Sequence, residues 1–272
     1  MLTDRVPVST RLMAYGSLAF WTSRLSLRAW RAFVANVVSA VIQLLVAYFL
    51  WSTYFETSAT AGPYDRSEIR LFLLVALMFG AILTGYDEWR NALRVLNGDV
   101  AVDLTRPLRY GRARLFELTG AGLVELAVMV VASVAIAAVL GDVYQPALVL
   151  LPAIVVSVVL GVVVKAQTVC ISVLLCFGRD NYLGLHWTRM GLVTLFAGVF
   201  VPIDLYPDWL REVSLVLPFQ AIIYAPFRVL VAGGWNGQVL DALVRQVASV
   251  AVMGLVTVVL HRRAMRRVEA FG

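Results

Sequence analysis

Long apolar stretches alternate with short charged segments along most of the chain. Six such stretches cover residues 33–54, 69–86, 115–140, 147–177, 185–201 and 240–260. A helix of about 20 apolar residues crosses the hydrocarbon core of a bilayer, which is about 30 Å thick. The pattern therefore predicts an all-α membrane protein with six transmembrane helices.

Composition supports membrane insertion. Hydrophobic residues make up 61% of the 272 residues and charged residues only 15%, and the mean hydropathy is +0.83. A soluble domain of this length has too little interior to remove so much apolar surface from water. Because no internal repeat interrupts the pattern, residues 1–272 are expected to form a single transmembrane domain.

The distribution of positive charge predicts the orientation of the helices. Of the 23 basic residues, five precede the first stretch, six lie between the second and third, two flank the loop after the fourth, and four lie in the C-terminal tail. Loops rich in arginine stay in the cytoplasm, so both termini are expected there. The net charge of +6 does not indicate nucleic-acid binding, because the arginines are not interleaved with exposed aromatic residues.

Residues 10–31 are predicted to form an amphipathic helix at the membrane interface. Their polar residues recur at helical spacing and form one narrow stripe, comprising Thr10, Ser17, Arg24, Arg28 and Arg31. Such a helix lies in the interface with its arginines near anionic headgroups. The alternative is that these residues merely extend the first transmembrane helix.

The cytoplasmic loop of residues 87–114 has an internal organisation. Residues 88–96 have helical spacing, and Asn97-Gly98 would end that helix. Apolar side chains then alternate with charged ones, and Pro107 prevents further regular structure. The residues of interest are Gly98, Asp99, Asp103, Leu104, Arg106 and Pro107. A charged loop with a few apolar side chains is suited to docking a soluble partner, although an ordinary solvated loop is the alternative.

The segment of residues 202–238 is rich in proline and is predicted to lie on the outer side. Residues 214–217 and 220–225 are too apolar for water, yet too short to span the bilayer. Re-entrant or interfacial half-helices satisfy both facts. Irregular backbone at that depth is tolerated against protein or a wet cavity, which favours a gate. An interfacial cap over the bundle is an equal alternative.

Two charges lie inside predicted transmembrane helices. Glu125 lies about ten residues into the third, and Lys165, the only lysine, lies about twelve residues from the cytoplasmic end of the fourth. At about 1.5 Å per residue both are 15–18 Å deep. We expect a Glu125–Lys165 contact, acting as a structural pin rather than as a transport site.

No catalytic, metal or cofactor site is predicted. The two histidines are outside any H-E-x-x-H arrangement, and the only lysine is outside a phosphate-binding G-K-[ST] loop. A G-x-S-x-G nucleophile motif is also missing from the sequence. Any ATP hydrolysis must therefore take place on another chain.

The order and spacing of these segments resemble the permease subunit of bacterial type-2 ABC exporters, in the branch typified by drug and antibiotic efflux permeases. The segments are the interfacial helix running into LVAYFLWSTYF (residues 45–55), G-x-x-x-x-D-L-x-R-P-L (98–108), P-x-x-x-x-P-x-W-L (202–210) and LPF (217–219). No single one of them is as specific as a nucleotide-binding motif.

The resemblance implies a plasma-membrane protein that works with partners. An ATPase dimer carrying ATP and Mg²⁺ would press on the interfacial helix and on the loop of residues 98–108. A second permease, identical or homologous, would complete the pathway within membrane lipid. The outer gate would comprise Pro202, Pro207, Trp209, Pro218 and Phe219.

The cargo implied by the resemblance would be hydrophobic or amphipathic (a drug, an antibiotic or a lipid-like molecule). The alternatives are export of a polysaccharide or lipid-linked glycan, and a non-transporting scaffold or immunity protein.

Overall fold

Helices form almost all of the part of the chain that the structure describes. The computed structural model describes residues 17, 30–81, 86–97, 110–177 and 182–271. The helices in these ranges are α1 (Trp30–Thr57), α2 (Arg66–Ala81), α3 (Tyr86–Leu96), α4 (Tyr110–Leu140), α5 (Leu151–Leu175), α6 (Tyr182–Phe196), α7 (Asp208–Val216), α8 (Tyr224–Val231) and α9 (Gly237–Phe271). Short 3₁₀ helices cover Leu148–Leu150, Ile203–Leu205 and Pro218–Ala221. No strand occurs within these ranges, which confirms the all-α fold class.

Four helices are long and apolar enough to cross a membrane. They occupy Phe33–Thr57, Tyr110–Leu140, Leu148–Leu175 and Gly237–Met265, close to the first, third, fourth and sixth predicted stretches. The last helix does not end at the basic tail, since α9 continues to Phe271. The four long apolar helices therefore agree with four of the six predicted transmembrane stretches.

The other two predicted transmembrane stretches are described in part. Within the described ranges α2 covers 16 residues and α6 covers 15. α2 ends and α6 begins next to residues outside those ranges. The count of six transmembrane helices therefore stays a prediction.

The long helices run between two ends of one bundle. At one end, which we call the basic end, Tyr110 of α4 packs with Phe177, just after α5, and with Ala264 of α9. At the opposite end, which we call the capped end, Leu150 packs with Val229 of α8 and Val239 of α9. Because α4 and α9 end opposite to where they begin, each traverses the whole bundle.

Two helices form the centre of this bundle. Ile69, Phe72 and Phe79 of α2 are at most 1% exposed, and the second half of α5 is buried almost continuously. A helix that is apolar around its whole circumference is surrounded by other helices. The exposed apolar residues lie instead mainly on α1, α4, α5 and α9, as expected of helices that face lipid.

Gly161 allows α5 to approach two neighbours. A Cβ atom at this position would lie 2.9 Å from Cε1 of Phe79 and 3.0 Å from the carbonyl oxygen of Ile222. We expect Gly161→Ala to lower the free energy of unfolding by about 1–3 kcal/mol, because a backbone atom cannot move aside cheaply. Gly191→Ala in α6 is the matched control, since its Cβ would meet no atom within 4 Å. Equal stability of the two variants, measured by reversible unfolding in detergent, would contradict this packing.

A reciprocal cap fixes the start of α2. The carboxylate of Asp65 accepts a hydrogen bond from the backbone N–H of Glu68 at 2.8 Å, and the Glu68 carboxylate accepts one from the N–H of Asp65 at 2.8 Å. Partial burial acts to raise the pKa of Asp65, but hydrogen bonds from Glu68 and Ser67 outweigh it and lower that pKa. This arrangement is a capping box, and it fixes the position of the adjacent Tyr64.

Candidate functional site

A buried charged cluster lies at the basic end of the bundle. The guanidinium of Arg114 donates a hydrogen bond from Nη1 to Oδ1 of Asn91 at 2.7 Å. It also forms an ion pair with Glu117 at 2.8 Å and lies 5.2 Å from the ring centroid of Tyr110. Asn91, Arg114 and Glu117 are 3%, 6% and 9% exposed. Buried charges require partners of this kind, so the cluster fixes α3 against α4.

The helix α3 is also packed against the end of α5. Its Ala92 is fully buried and contacts Cys176 and Tyr182 in a small apolar cluster, while Val95 packs beside Tyr110 and Phe177. The charged residues of α3 alternate with these apolar ones, which gives the helix one apolar face. α3 therefore lies against the bundle at the basic end.

The predicted coupling loop starts and ends at this cluster. Residues 98–108 follow α3 and precede α4, so Asn91 and Arg114 hold the two flanking helices together. The loop residues Gly98, Asp99, Asp103, Leu104, Arg106 and Pro107 lie outside the described ranges, and their role stays a prediction.

The predicted interfacial helix also lies mainly outside the described ranges. Arg24 and Arg28 are not covered, whereas Arg31 is exposed in the first turn of α1. The choice between a separate interfacial helix and an extension of α1 therefore stays open.

A second polar cluster lies at the capped end, around the carboxylate of Asp204. The hydroxyl groups of Tyr64 and Tyr224 donate hydrogen bonds to this carboxylate, the latter at 2.8 Å. Arg228 and Arg211 approach Oδ1 at 3.4 and 3.6 Å. The Asp204 side chain is only 8% exposed. We refer to these five residues as the Asp204 cluster.

The Asp204 cluster joins segments that are distant in the chain. Tyr64 lies between α1 and α2, Asp204 in the 3₁₀ helix Ile203–Leu205, and the other three residues in α7 and α8. Burial, followed by the hydrogen bond and the charge of Asp204, raises the pKa of Tyr64. The hydroxyl group therefore stays protonated and continues to donate.

Three prolines of the predicted outer gate shape the backbone, and the other two gate residues differ in burial. Pro202 and Pro207 immediately precede Ile203–Leu205 and α7, and Pro218 begins the 3₁₀ helix Pro218–Ala221. Phe219 stacks on Phe196 with ring centroids 6.4 Å apart, whereas Trp209 is 68% exposed. The segment thus contains short helices, and its gating role stays a prediction.

A fully buried glutamine connects this segment to the long helices. Nε2 of Gln246 in α9 donates to the carbonyl oxygens of Ser157 in α5 and Ala221, both at 2.9 Å. Amide hydrogen bonds of this kind are costly to leave unmade in an apolar interior. Gln246 therefore holds the Pro218–Ala221 turn between α5 and α9.

Lys165 is buried in α5, as a charge inside a predicted transmembrane helix should be. Its Nζ donates to the carbonyl oxygen of Phe79, in the last described turn of α2. Glu125 is half-buried on the neighbouring helix α4. The Glu125–Lys165 contact itself stays a prediction.

Exchanging the two charges tests that contact. We expect Lys165→Ala to reduce the yield of folded protein, because the Phe79 carbonyl and any acidic partner lose their cation. The double variant Glu125→Lys with Lys165→Glu should restore part of the yield. The yield of folded protein is measured by size-exclusion chromatography. Normal yield of the single variants Glu125→Lys and Lys165→Glu would contradict a contact between the two residues.

The sequence alone pointed to none of the residues at the centres of these clusters. Gln246 and Asp204 could have been noticed, because polar residues in apolar segments usually mark a structural or functional contact. Asn91 and Arg114 carry no such signal, since both appear as ordinary loop residues in the predicted boundaries.

Comparison with known proteins identifies the family. The model of the family described as ABC-2 family transporter protein matches residues 41–272, which is most of the chain. No curated protein and no solved structure matches the chain. The matched range contains most of α1, all of the later helices and both polar clusters. The chain therefore belongs to the ABC-2 family of transporter proteins, as an ABC-2 type permease.

Proposed function

We propose that this permease is the membrane subunit of an ATP-driven exporter for hydrophobic or amphipathic molecules. In this proposal α2 and α6 complete six transmembrane helices, and the basic end faces the cytoplasm. Arginine-rich ends stay inside, and Arg112, Arg262 and Arg263 are exposed there. Both termini are then cytoplasmic, and the Asp204 cluster lies at the outer side of the plasma membrane.

One observation carries the coupling role: the buried Arg114–Asn91 hydrogen bond holds the helices on both sides of residues 98–108. A loop with fixed ends transmits a push from a bound partner to the helices, whereas a loop with free ends would absorb it. The partner is an ATPase dimer that carries ATP and Mg²⁺, and hydrolysis takes place there. ATP binding then shifts the permease between two arrangements of its helices.

The outer segment closes the pathway in the resting arrangement. Its short helices are joined through the Asp204 cluster to the connection between α1 and α2, and Gln246 joins them to α9. A movement of the long helices is thereby passed to this segment. Two permease chains, identical or homologous, surround one pathway in the proposed assembly.

Glycan export and a non-transporting role are the alternatives. A permease for polysaccharides or lipid-linked glycans would share the ATPase partner and differ in cargo. A scaffold or immunity protein would not stimulate ATP hydrolysis at all. Purification in lipid with bound partners, followed by mass spectrometry of the molecules that copurify, distinguishes these cases.

The coupling loop is tested by single substitutions. We expect Asp103→Ala or Arg106→Ala to lower the lipid- and cargo-stimulated ATPase activity of the purified complex at least about fivefold, the lower range of measured allosteric couplings. The reason is that each removes a charge from the surface that meets the ATPase. Basal activity and membrane insertion should be unchanged.

Arg263→Ala is the matched control, since it removes an exposed charge at the same end of the bundle but outside the loop. Full stimulation in both loop variants would exclude the loop from the mechanism. A complex that never shows stimulated activity, even as wild type, would support the scaffold alternative.

A further inference from the structure

An apolar cleft opens between α2, α4 and α5 in the half of the bundle near the capped end. Its volume is about 780 Å³, within the range of about 300–1,000 Å³ that small-molecule sites occupy. The walls come from α2 (Leu71 to Met78), α4 (Leu126 to Ala138) and α5 (Ile154 to Val159). Nearly all of these side chains are apolar.

The cleft is open toward the surface that would face lipid. Val134 of α4 is 64% exposed and Val155 of α5 is 54% exposed, and both line the cleft. The opposite wall is the buried helix α2, where Leu74 and Val75 are 4% and 2% exposed. An apolar molecule dissolved in the membrane can therefore enter sideways between α4 and α5, without passing through water.

One polar group lies deep in the apolar wall. Ser133 of α4 lines the cleft and is 5% exposed, and its hydroxyl has no hydrogen-bond partner among the described residues. A buried hydroxyl without a partner is costly, so such a group in a cleft points to an occupant that provides an acceptor. The hydroxyl oxygen is buried beneath the surface of the cleft, so a rotation of the Ser133 side chain about χ1 would bring it to an occupant.

The mouth of the cleft at the capped end is polar and firmly held. Arg70 donates through Nη1 to the carbonyl oxygens of Gly141 and Asp142 at 3.3 and 3.0 Å, and to the Asp142 carboxylate at 3.3 Å. Tyr144 donates from its backbone to Ser67 at 3.2 Å. Asp142 adopts a φ of 37°, a conformation that non-glycine residues keep only where surrounding contacts impose it.

We propose that this cleft binds a single-chain amphipathic molecule from the membrane. Its apolar body lies between α4 and α5, an acceptor group within it meets Ser133, and its polar head lies at the exposed Asp142 carboxylate. Ser133 precedes Leu140, the last residue of α4, by seven residues, which is about 10 Å at 1.5 Å per residue, so the Asp142 contact lies beyond that distance along the cleft. The site does not rest on the proposed export function, because it can be occupied whether or not an ATPase is bound.

Photolabelling of the full chain in nanodiscs tests the site. Two probes are used separately: a long-chain alkylamine with an internal carbonyl group and a diazirine, and a phosphatidylcholine with a diazirine in one acyl chain. We expect the alkylamine to label α4 between Leu126 and Ala138, and α5 between Ile154 and Val159, in a saturable manner. Saturable labelling of the same residues by phosphatidylcholine would show that a phospholipid of the bilayer also occupies the cleft.

Ala138→Trp should fill the cleft and reduce this labelling about tenfold, corresponding to about 1.4 kcal/mol of binding free energy. Ala135→Trp is the matched control, because Ala135 is exposed on the same helix but does not line the cleft. Ser133→Ala should weaken labelling by the carbonyl-bearing alkylamine and leave a carbonyl-free analogue unaffected.

Labelling spread evenly over the exposed faces of α1, α4 and α9 would overturn the proposal. So would equal labelling of the Ala138→Trp and Ala135→Trp variants. Size-exclusion chromatography of each variant confirms that it is folded before labelling, so that a loss of signal reports on the cleft.

Discussion

Asp204→Ala is expected to lower the free energy of unfolding by about 3–5 kcal/mol, the cost of breaking a buried ion pair from one side. The substitution leaves Arg228 half-buried beside two tyrosine hydroxyl groups that have lost their acceptor. Because the carboxylate joins the α1–α2 connection to α7 and α8, we also expect the outer segment to become sensitive to protease. Reversible unfolding in detergent and limited proteolysis measure the two effects.

Two further variants test whether the loss of stability is specific to the Asp204 carboxylate. Asp208→Ala removes an exposed carboxylate from the first turn of α7 in the same segment, and should change stability by less than about 0.5 kcal/mol, as surface substitutions usually do. Asp204→Asn keeps an acceptor for the tyrosines but not the charge, and should lie between the two. If Asp204→Ala is as stable as Asp208→Ala, the cluster does not hold the outer segment.

Arg114→Ala is expected to affect both stability and coupling. The free energy of unfolding should fall by about 3 kcal/mol, because the buried Glu117 loses the cation 2.8 Å away. Stimulated ATPase activity of the complex should fall at least about fivefold, since α3 and α4 are no longer joined through Asn91. The two effects are measured separately, by unfolding and by ATPase assay in nanodiscs.

A double variant separates the two roles of Arg114. Arg114→Met with Glu117→Leu removes both charges, and replacing a buried ion pair by apolar residues is often neutral for stability. Its stability should therefore recover in part, since the buried Asn91 still lacks its donor, while coupling stays low because the bond to Asn91 is missing. Arg112→Ala, at an exposed position two residues earlier, should leave both properties unchanged. Normal coupling in the double variant would show that the Arg114–Asn91 hydrogen bond does not transmit movement from the ATPase.

The long helices could be predicted from hydrophobic content, because helix formation in lipid depends on the segment itself. A stretch of about 20 apolar residues has to form a helix in lipid, because every backbone polar group must be satisfied within the segment. The boundaries of α1, α4 and α5 accordingly lie within a few residues of the predicted ones. α2 and α6 overlap the predicted stretches 69–86 and 185–201, but each borders residues outside the described ranges, so their full lengths stay a prediction.

The polar clusters could not be predicted, because their members are far apart in the chain. Tyr64 and Asp204 are separated by 140 residues, and Gln246 and Ser157 by 89. A sequence pattern of period 3.6 reports which residues share one helix face, but not which faces meet. The Glu125–Lys165 hypothesis was limited in the same way, since similar depth permits a contact without specifying it.

The sequence by itself determined that this protein is a helical membrane permease of the ABC-2 type. Apolar stretches of bilayer length and the order of its loop segments are properties of the chain alone. Only the tertiary structure decided that α2 and α5 form the centre, that Arg114 and Asp204 organise the two ends, and that a cleft lies between α4 and α5. Those features depend on which helix faces meet, and that choice is made by packing and by the pairing of buried polar groups over the whole chain.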